Sequence, residues 1–220
     1  NCVETIKSLS KGLVKIKKFL VRSRLWMDRT SGGAISAEDA LSFGYSGPCL
    51  RACGINYDLR TTFPYYFYSD IDFEVPLGVY GSIYDRYLIR LEEIDQSIKI
   101  IFQVLDNLPH GDVFLEIEGI SFPARKAELK PEERRDIHSQ IVDGGLTLKP
   151  GEFYSATEAS SGELGYFVAF DGGPTPNRVK IHTPSFSLLQ SFPHLINGQS
   201  FSDLEATYSS LNCSPGEFDR

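Results

Sequence analysis

A chain of 220 residues, 41% hydrophobic and 23% charged, carries enough apolar material for a sizeable core in one or two domains, and no low-complexity stretch marks it as disordered. A net charge of -7 sets nucleic acid aside as a partner, because backbone phosphates reward surfaces rich in lysine and arginine. No window approaches the roughly 20 uninterrupted apolar residues of a membrane-spanning helix.

The first 26 residues, NCVETIKSLSKGLVKIKKFLVRSRLW, place Val3, Ile6, Leu9, Leu13, Ile16, Phe19 and Leu20 on one helical stripe with lysines between them. This predicts a long amphipathic helix. The stripe begins at once, with no strong cap before it, so the natural fold is expected to start ahead of Asn1. TSGGAISAEDALSFGYSG then predicts a short helix over Ala37 to Leu41, capped by Ser36 with Asp39 at the third helical position and closed by Gly44.

The run from Tyr45 to Gly81 is rich in glycine, proline and aromatics and lacks a sustained period, so it reads as a long loop. Its cluster Tyr65, Tyr66, Phe67 and Tyr68 either packs that loop onto the domain or offers a contact surface. Beyond it, GSIYDRYLIRLEEIDQSIKIIFQVLDNLP is the clearest element. Tyr84, Tyr87, Leu88, Leu91, Ile94, Ile98, Ile101, Leu105 and Leu108 form one stripe of about seven turns, and Pro109 ends it. Arg86, Arg90, Glu93 and Ser97 make a second, polar stripe in which Arg90 can pair with Glu93 three residues on. This polar stripe is either a solvated, salt-bridged face or, because Ile83, Ile89, Ile100, Phe102 and Val104 leave little free surface, part of a helix buried on most sides.

A charged, partly helical stretch follows, with Pro131 placed for a helix start and Gly144–Gly145 for its stop. From Gly151 the period changes to two: Tyr166, Val168 and Phe170 alternate, as do Val179 and Ile181, predicting a small antiparallel sheet or pair of hairpins. A last short helix is predicted near Phe201 to Ser209, before the tail. The fold class is therefore α+β: a helical core with its long aromatic and glycine-rich loop and a peripheral charged segment in residues 1–150, and a β-rich portion in residues 151–220.

Chemistry is harder to find. Cys2, Cys49, Cys53 and Cys213 are scattered, with one C-x3-C spacing and no histidine nearby, so buried apolar thiols are the expectation and no metal site is predicted. There is no glycine-rich nucleotide loop and no nucleophile elbow.

RLWMDRTSGGAISAEDALSFGYSGPCLRACGINYDLR and FEVPLGVYGSIYDRYLIRLEEIDQSIKII resemble the 49-kDa subunit family of respiratory complex I, NADH:ubiquinone oxidoreductase. The matching motifs are R-x-W-x-x-R-T, D-L-R and Y-D-R-Y-L-x-R-x-E-E. The later run LTLKPGEFYSATEASSGELGYFVAFDGGPTPNRVKIHTPSF and the closing GEFDR are similar to the family's G-E-x-Y, G-E-x-G, K-I-x-x-P-x-F and terminal G-E-V-D-R. The resemblance implies a long-helix bundle like that of the nickel–iron hydrogenase large subunits, to which the family is related. A nickel centre is not implied, since it needs two CxxC pairs and the chain has none.

The resemblance covers nearly this whole chain but only the C-terminal half or so of the family. It implies a fragment that lacks the loop histidine and helix tyrosine holding the quinone head group. It also implies partners: the N-terminal half of the subunit on another chain, the small subunit bearing an iron–sulphur cluster, a neighbouring peripheral-arm subunit, and a membrane subunit at the tunnel mouth. Ubiquinone is the implied substrate, the chain binding no cofactor and supplying no catalytic residue of its own. By the same match the tail turns inward, with Asn212, Ser214 and Pro215 bordering the quinone chamber and Asp219 and Arg220 held by ion pairs, alongside Arg86, Arg90 and Glu93. Where the family carries Asp, Val and Phe, this chain has Asn212, Ser214 and Pro215, so a structural or assembly-related paralogue without the quinone role is the alternative expectation. The implied location is the matrix side of the mitochondrial inner membrane, in an assembly that couples quinone reduction to proton translocation.

Overall fold

The computed structural model describes residues 2–109, 111, 149–173 and 175–218. The charged stretch around Pro131 and Gly144–Gly145 lies outside the described residues, as do Asp219 and Arg220. By compactness the chain divides into two units, one of residues 1–107, 156–165 and 181–220, the other of residues 108–155 and 166–180. This partition interleaves the segments 1–150 and 151–220.

In the larger unit, α1 (Cys2–Val21) follows the predicted stripe, but the helix stops short of the tryptophan. Ser23 opens a separate α2 (Arg24–Thr30) by accepting a hydrogen bond from Trp26 N at its side chain. An N-cap hydroxyl satisfies a donor that has no partner within the helix, which is why a serine here starts a new helix and does not extend the old one. Ser36 caps α3 (Ala37–Ser42) in the same way through Asp39 N. Gly44 follows at φ of 75°, a left-handed conformation that a side chain resists.

The predicted loop holds regular structure. It contains α4 (Gly47–Ala52), all six residues of which are buried, and α5 (Leu59–Thr62), capped by Asp58. Six residues are too few to display a helical period, and Pro48 and Gly47 look like loop residues in sequence, although proline in the first turn is compatible with a helix. Cys49, Leu50 and Cys53 join Ile35, Ala40, Tyr45, Leu188, Leu195 and Leu211 in the hydrophobic core. The first part of the segment read as a long loop thus lies in the core of the unit.

The long helix α6 (Ile83–Asp106) begins with a reciprocal cap: Ser82 Oγ accepts from Asp85 N, and the Asp85 carboxylate accepts from Ser82 N. It packs on α4, on α1 and on the late helix of residues 204–211. Three strands follow, β1 (Gly151–Ala159), β2 (Gly162–Phe170) and β3 (Arg178–His182), forming one antiparallel sheet in sequence order. Three further helices, α7 (Pro184–Gln190), α8 (Phe192–Ile196) and α9 (Leu204–Leu211), return to the core of the larger unit through Leu188, Leu195 and Leu211. The architecture is the α+β one expected. Residues 151–155, 166–170 and 178–180 of the strands belong to the smaller unit, in which Asp171 turns the chain by accepting from Gly173 N.

One backbone contact positions everything below. A Cβ on Gly47 would sit 2.4 Å from Gly162 Cα, and one on Gly162 would sit 2.4 Å from Ser46 Oγ. Only glycine at both places lets the start of α4 lie directly on the β1–β2 turn. Ser46 Oγ then accepts from Glu163 N at 2.9 Å, fixing the hairpin's register against the helix.

Candidate functional site

That contact carries β1 over α4 and brings two distant charges together. Arg51, on α4, is only 1% exposed, and its guanidinium donates to Glu93 Oε1 from Nε at 2.9 Å and from Nη2 at 2.6 Å. Nη1 donates to Glu158 Oε1 of β1 at 2.7 Å and to the Tyr57 carbonyl at 3.0 Å. Asp58 lies 3.5 Å from Arg51 and receives Arg60, through Nε at 3.0 Å and Nη2 at 2.6 Å. Glu158 also accepts from Leu59 N, and its own N–H is taken by the Tyr65 hydroxyl.

Three carboxylates, Asp58, Glu93 and Glu158, thus face two guanidiniums, and the cluster carries one surplus acid. Burial lifts the Glu158 carboxyl above its ordinary range, with Arg51 opposing that lift. Burial acts the same way on Asp58, but the hydrogen bonds and charges of Arg60 and Arg51 outweigh it and hold that carboxyl low. Glu158 is therefore the member of the cluster best suited to hold or release a proton.

The ion pair expected between Arg90 and Glu93 does not form. Glu93 turns to Arg51, whose planar fork reaches it with two donors, while Arg90 lies against the core. Arg90 Nη2 sits 3.4 Å from both Cys49 Sγ and the Leu211 carbonyl, and Nη1 donates to the Arg86 carbonyl. Arg86 is fully buried and donates to Ser210 Oγ at 2.7 Å, the Gly33 carbonyl at 2.6 Å and the Gly81 carbonyl at 2.9 Å. Among the described residues no carboxylate lies within ion-pair distance of it. Of the polar stripe of α6, Arg86 and Arg90 brace the helix to the backbone at Gly33, Gly81 and Leu211, Glu93 holds the ion pair with Arg51, and Ser97 is exposed.

The tail residues stand elsewhere. Asn212 closes α9 in the left-handed conformation at φ of 56°, and its carbonyl accepts from Ser161 Oγ. Ser214 N donates to Ser185 Oγ, and Glu217 accepts from Thr183 Oγ1 and Ser185 N. The bonds made at Asn212 and Ser214 use backbone atoms, leaving the side chains of Asn212, Ser214 and Pro215 exposed. None of the three lines the cavity of about 720 Å³ that opens between α1, α2, α6 and α9. Leu20, Trp26, Tyr87 and Arg90 do line it.

Two of the four thiols are buried as expected, Cys213 is half-buried, and the Cys2 side chain lies outside the described residues. Cys49 and Cys53 are buried, and burial pushes the Cys53 and Cys213 thiols up to about 11. Burial also lifts the Tyr45 hydroxyl, bonded to Ser191, to about 12. Among the described residues no group of three or more His, Cys, Asp or Glu side chains is arranged to hold a metal ion.

Arg51, Asp58, Arg60 and Glu158 were not anticipated as a group. Their one sequence signal is an arginine inside GPCLRACG, where every neighbour is small or apolar. A long cation in such company needs a buried partner.

The family model for the respiratory-chain NADH dehydrogenase 49-kDa subunit matches residues 1–220. The chain belongs to this family. It is 41% identical over 218 residues to an NADH-quinone oxidoreductase subunit of Myxococcus xanthus, covering 97% of this chain and 52% of that protein. Against an NADH-quinone oxidoreductase subunit of Bdellovibrio bacteriovorus it is 42% identical, covering 98% of this chain and 39% of the relative, and against one of Leptospira biflexa 40%, covering 97% and 53%. This member of the 49-kDa subunit family spans about half the length, or less, of these curated relatives. Among its described residues no helix is long and apolar enough to cross a membrane.

Proposed function

We propose that this chain is a core peripheral-arm component of a respiratory complex I and forms part of the wall of its quinone chamber. The observation that carries the reading is the family match over residues 1–220, joined to an interior whose charged groups are spent on bracing. The chain's part in NADH:quinone oxidoreduction is to shape and hold. It catalyses nothing alone: the electron donor to ubiquinone is an iron–sulphur cluster in the adjacent small subunit, and proton translocation belongs to the assembly.

Two features support a wall role at the tail. The chain turns back onto Thr183 and Ser185, and the backbone bonds at Asn212 and Ser214 leave the side chains of Asn212, Ser214 and Pro215 outward and available. Further partners under this reading are a neighbouring peripheral-arm subunit and the membrane subunit at the tunnel mouth. Under this reading the assembly sits on the matrix side of the mitochondrial inner membrane, a location supported only by the chain's divergence from the family pattern.

The exchange of the family's Asp, Val and Phe for Asn212, Ser214 and Pro215 favours a second reading, a structural or assembly paralogue without a quinone role. Purifying the native assembly in mild detergent separates the two. The chain found with inhibitor-sensitive NADH:quinone reductase activity supports the first. The chain found only in fractions without that activity supports the second.

A further inference from the structure

The aromatic cluster after α5 divides into two kinds of ring. Tyr65 and Tyr68 are half-buried and hold the segment in place: the Tyr65 hydroxyl accepts from Glu158 N at 3.1 Å, and its ring meets that of Tyr68 edge-on at 5.0 Å. Tyr68 in turn meets Phe73 at 6.0 Å, and the Arg60 guanidinium lies over the Phe73 ring at 5.0 Å. The other rings are open to solvent. Phe63, Tyr66 and Phe67 are 67%, 89% and 70% exposed.

Those exposed rings stand on an anchored turn. A single 3-10 turn, Tyr68–Asp70, closes it, and the segment behind is tied to α6. Gln103 donates to the Asp72 carbonyl at 2.6 Å and accepts from Asp72 N at 2.9 Å, and Gln96 accepts from Glu74 N at 3.2 Å. Tyr66 itself sits at φ of 51°, a left-handed conformation that a side chain resists and that glycine or asparagine adopts more readily. A strained backbone that presents a large ring to solvent is a mark of a surface shaped for contact. Scattered exposed apolar residues are ordinary, but three large rings on one anchored turn are not.

Charge selects what covers the turn. Between Arg60 and Arg86 the chain has no lysine or arginine, and Asp70, Asp72 and Glu74 are exposed at alternate positions just after the rings. Arg60 is spent on Asp58, and Lys99, on the side of α6 that bears Gln96 and Gln103, can offset one of the three acids. An anionic lipid surface would be repelled, and a second copy would set the same acids against themselves. A guanidinium suits both halves of the surface, because it stacks on the face of a tyrosine or phenylalanine and bonds a carboxylate with two donors. We infer that the turn from Phe63 to Phe67 is the docking knob for another protein, whose surface offers an apolar pocket rimmed by arginine or lysine. Phe63, Tyr66 and Phe67 fill the pocket as aromatic anchors, and Asp70, Asp72 and Glu74 hold its basic rim. Such a contact stands whether or not the chain walls a quinone chamber.

The test is photo-crosslinking of the full chain in the organism's own membranes, with benzoylphenylalanine placed at Tyr66 and at Phe67. Both positions should join to one other polypeptide, at peptides that carry arginine or lysine within a few residues of the joined site. Products with lipid, with a second copy or with this chain itself, products at peptides without a basic residue, or no product from either site, overturn the proposal. Reversing the rim with Asp70→Lys/Asp72→Lys alters exposed residues, so the unfolding midpoint should hold while the crosslink yield from Phe67 falls roughly tenfold or more. Exchanging the mapped basic residue of the partner for glutamate should restore that yield. Tyr66→Gly relieves the left-handed strain, so the midpoint should hold or rise while co-purification of the same polypeptide falls by a similar factor. A lower midpoint with unchanged co-purification makes Tyr66 a packing residue and overturns the docking role, as does an unchanged crosslink yield in the rim variant.

Discussion

Arg51 is the side chain whose loss the fold should feel most. Arg51→Met keeps most of the volume and removes four donated bonds, leaving the surplus acid of the cluster at two charges where there was one. Glu158, only 4% exposed at its side chain, then keeps just the weaker contact from Leu59 N. Removing one partner of a buried pair costs about 3–5 kcal/mol, because a charge stays behind without compensation. For a chain of this size each kcal/mol moves the midpoint by about 2–4 °C, so a fall of roughly 6–20 °C is expected. Urea unfolding followed by the single tryptophan, Trp26, measures the free energy directly. Glu158→Gln should cost less than half as much, since it removes the surplus acid together with the bond. The double variant should be more stable than the sum of the two single losses predicts, by about 1–3 kcal/mol. An Arg51→Met chain within about 0.5 kcal/mol of the parent would refute the claim that this cluster is a buried brace.

The same cluster sets a pH signature. Because burial raises the Glu158 carboxyl, the folded state binds its proton more readily than the unfolded chain does; that contribution is full below the ordinary value of 4.5 and is lost as pH rises through the folded-state value. Glu158→Gln should therefore flatten the decline in stability above pH 4.5. Asp58 runs the other way, stabilising above 3.8 and losing its contribution as pH falls through its lowered value, so the deficit of Asp58→Asn should shrink in acid. Gly162→Ala forces a methyl to within 2.4 Å of Ser46 Oγ at φ of 144° and should destabilise by about 1–3 kcal/mol in the same urea assay. Ser82→Ala removes one half of the α6 capping box and should cost about 1 kcal/mol. At pH 8 native Cys53 should resist iodoacetamide, its thiolate being about one part in a thousand, and should react once urea exposes it; fast native labelling would contradict its burial.

The sequence makes legible what has a long period or a local cap. Twenty-four residues of α6 repeat their stripe often enough to be seen, and Ser36 and Ser82 sit at fixed offsets from the donors they satisfy. What stays hidden is what depends on distant residues. α4 is too short to show a period, and its burial follows from Gly47 meeting Gly162, 115 residues away. Glu93 looks like the partner of Arg90 because the two share a helix face, yet Arg51 arrives from another helix with a better fork. The tail gives a similar lesson. Asn212, Ser214 and Pro215 are visible as departures from a pattern, but the bonds that hold them run through backbone atoms and Ser185, which no pattern singles out.

The Gly47–Gly162 contact has a kinetic side. Successive strand residues point to opposite faces, so a slip of one position in β1 would present Thr157 or Ala159, in place of Glu158, to the guanidinium of Arg51. Arg51 therefore acts as a check on pairing: α4 and α6 can meet early, but their shared cation stays unsatisfied until a strand from far along the chain arrives in the right phase. Closure over so many residues is slow, and the last event in folding this unit should be the seating of that hairpin, with Arg51 rejecting every register but one.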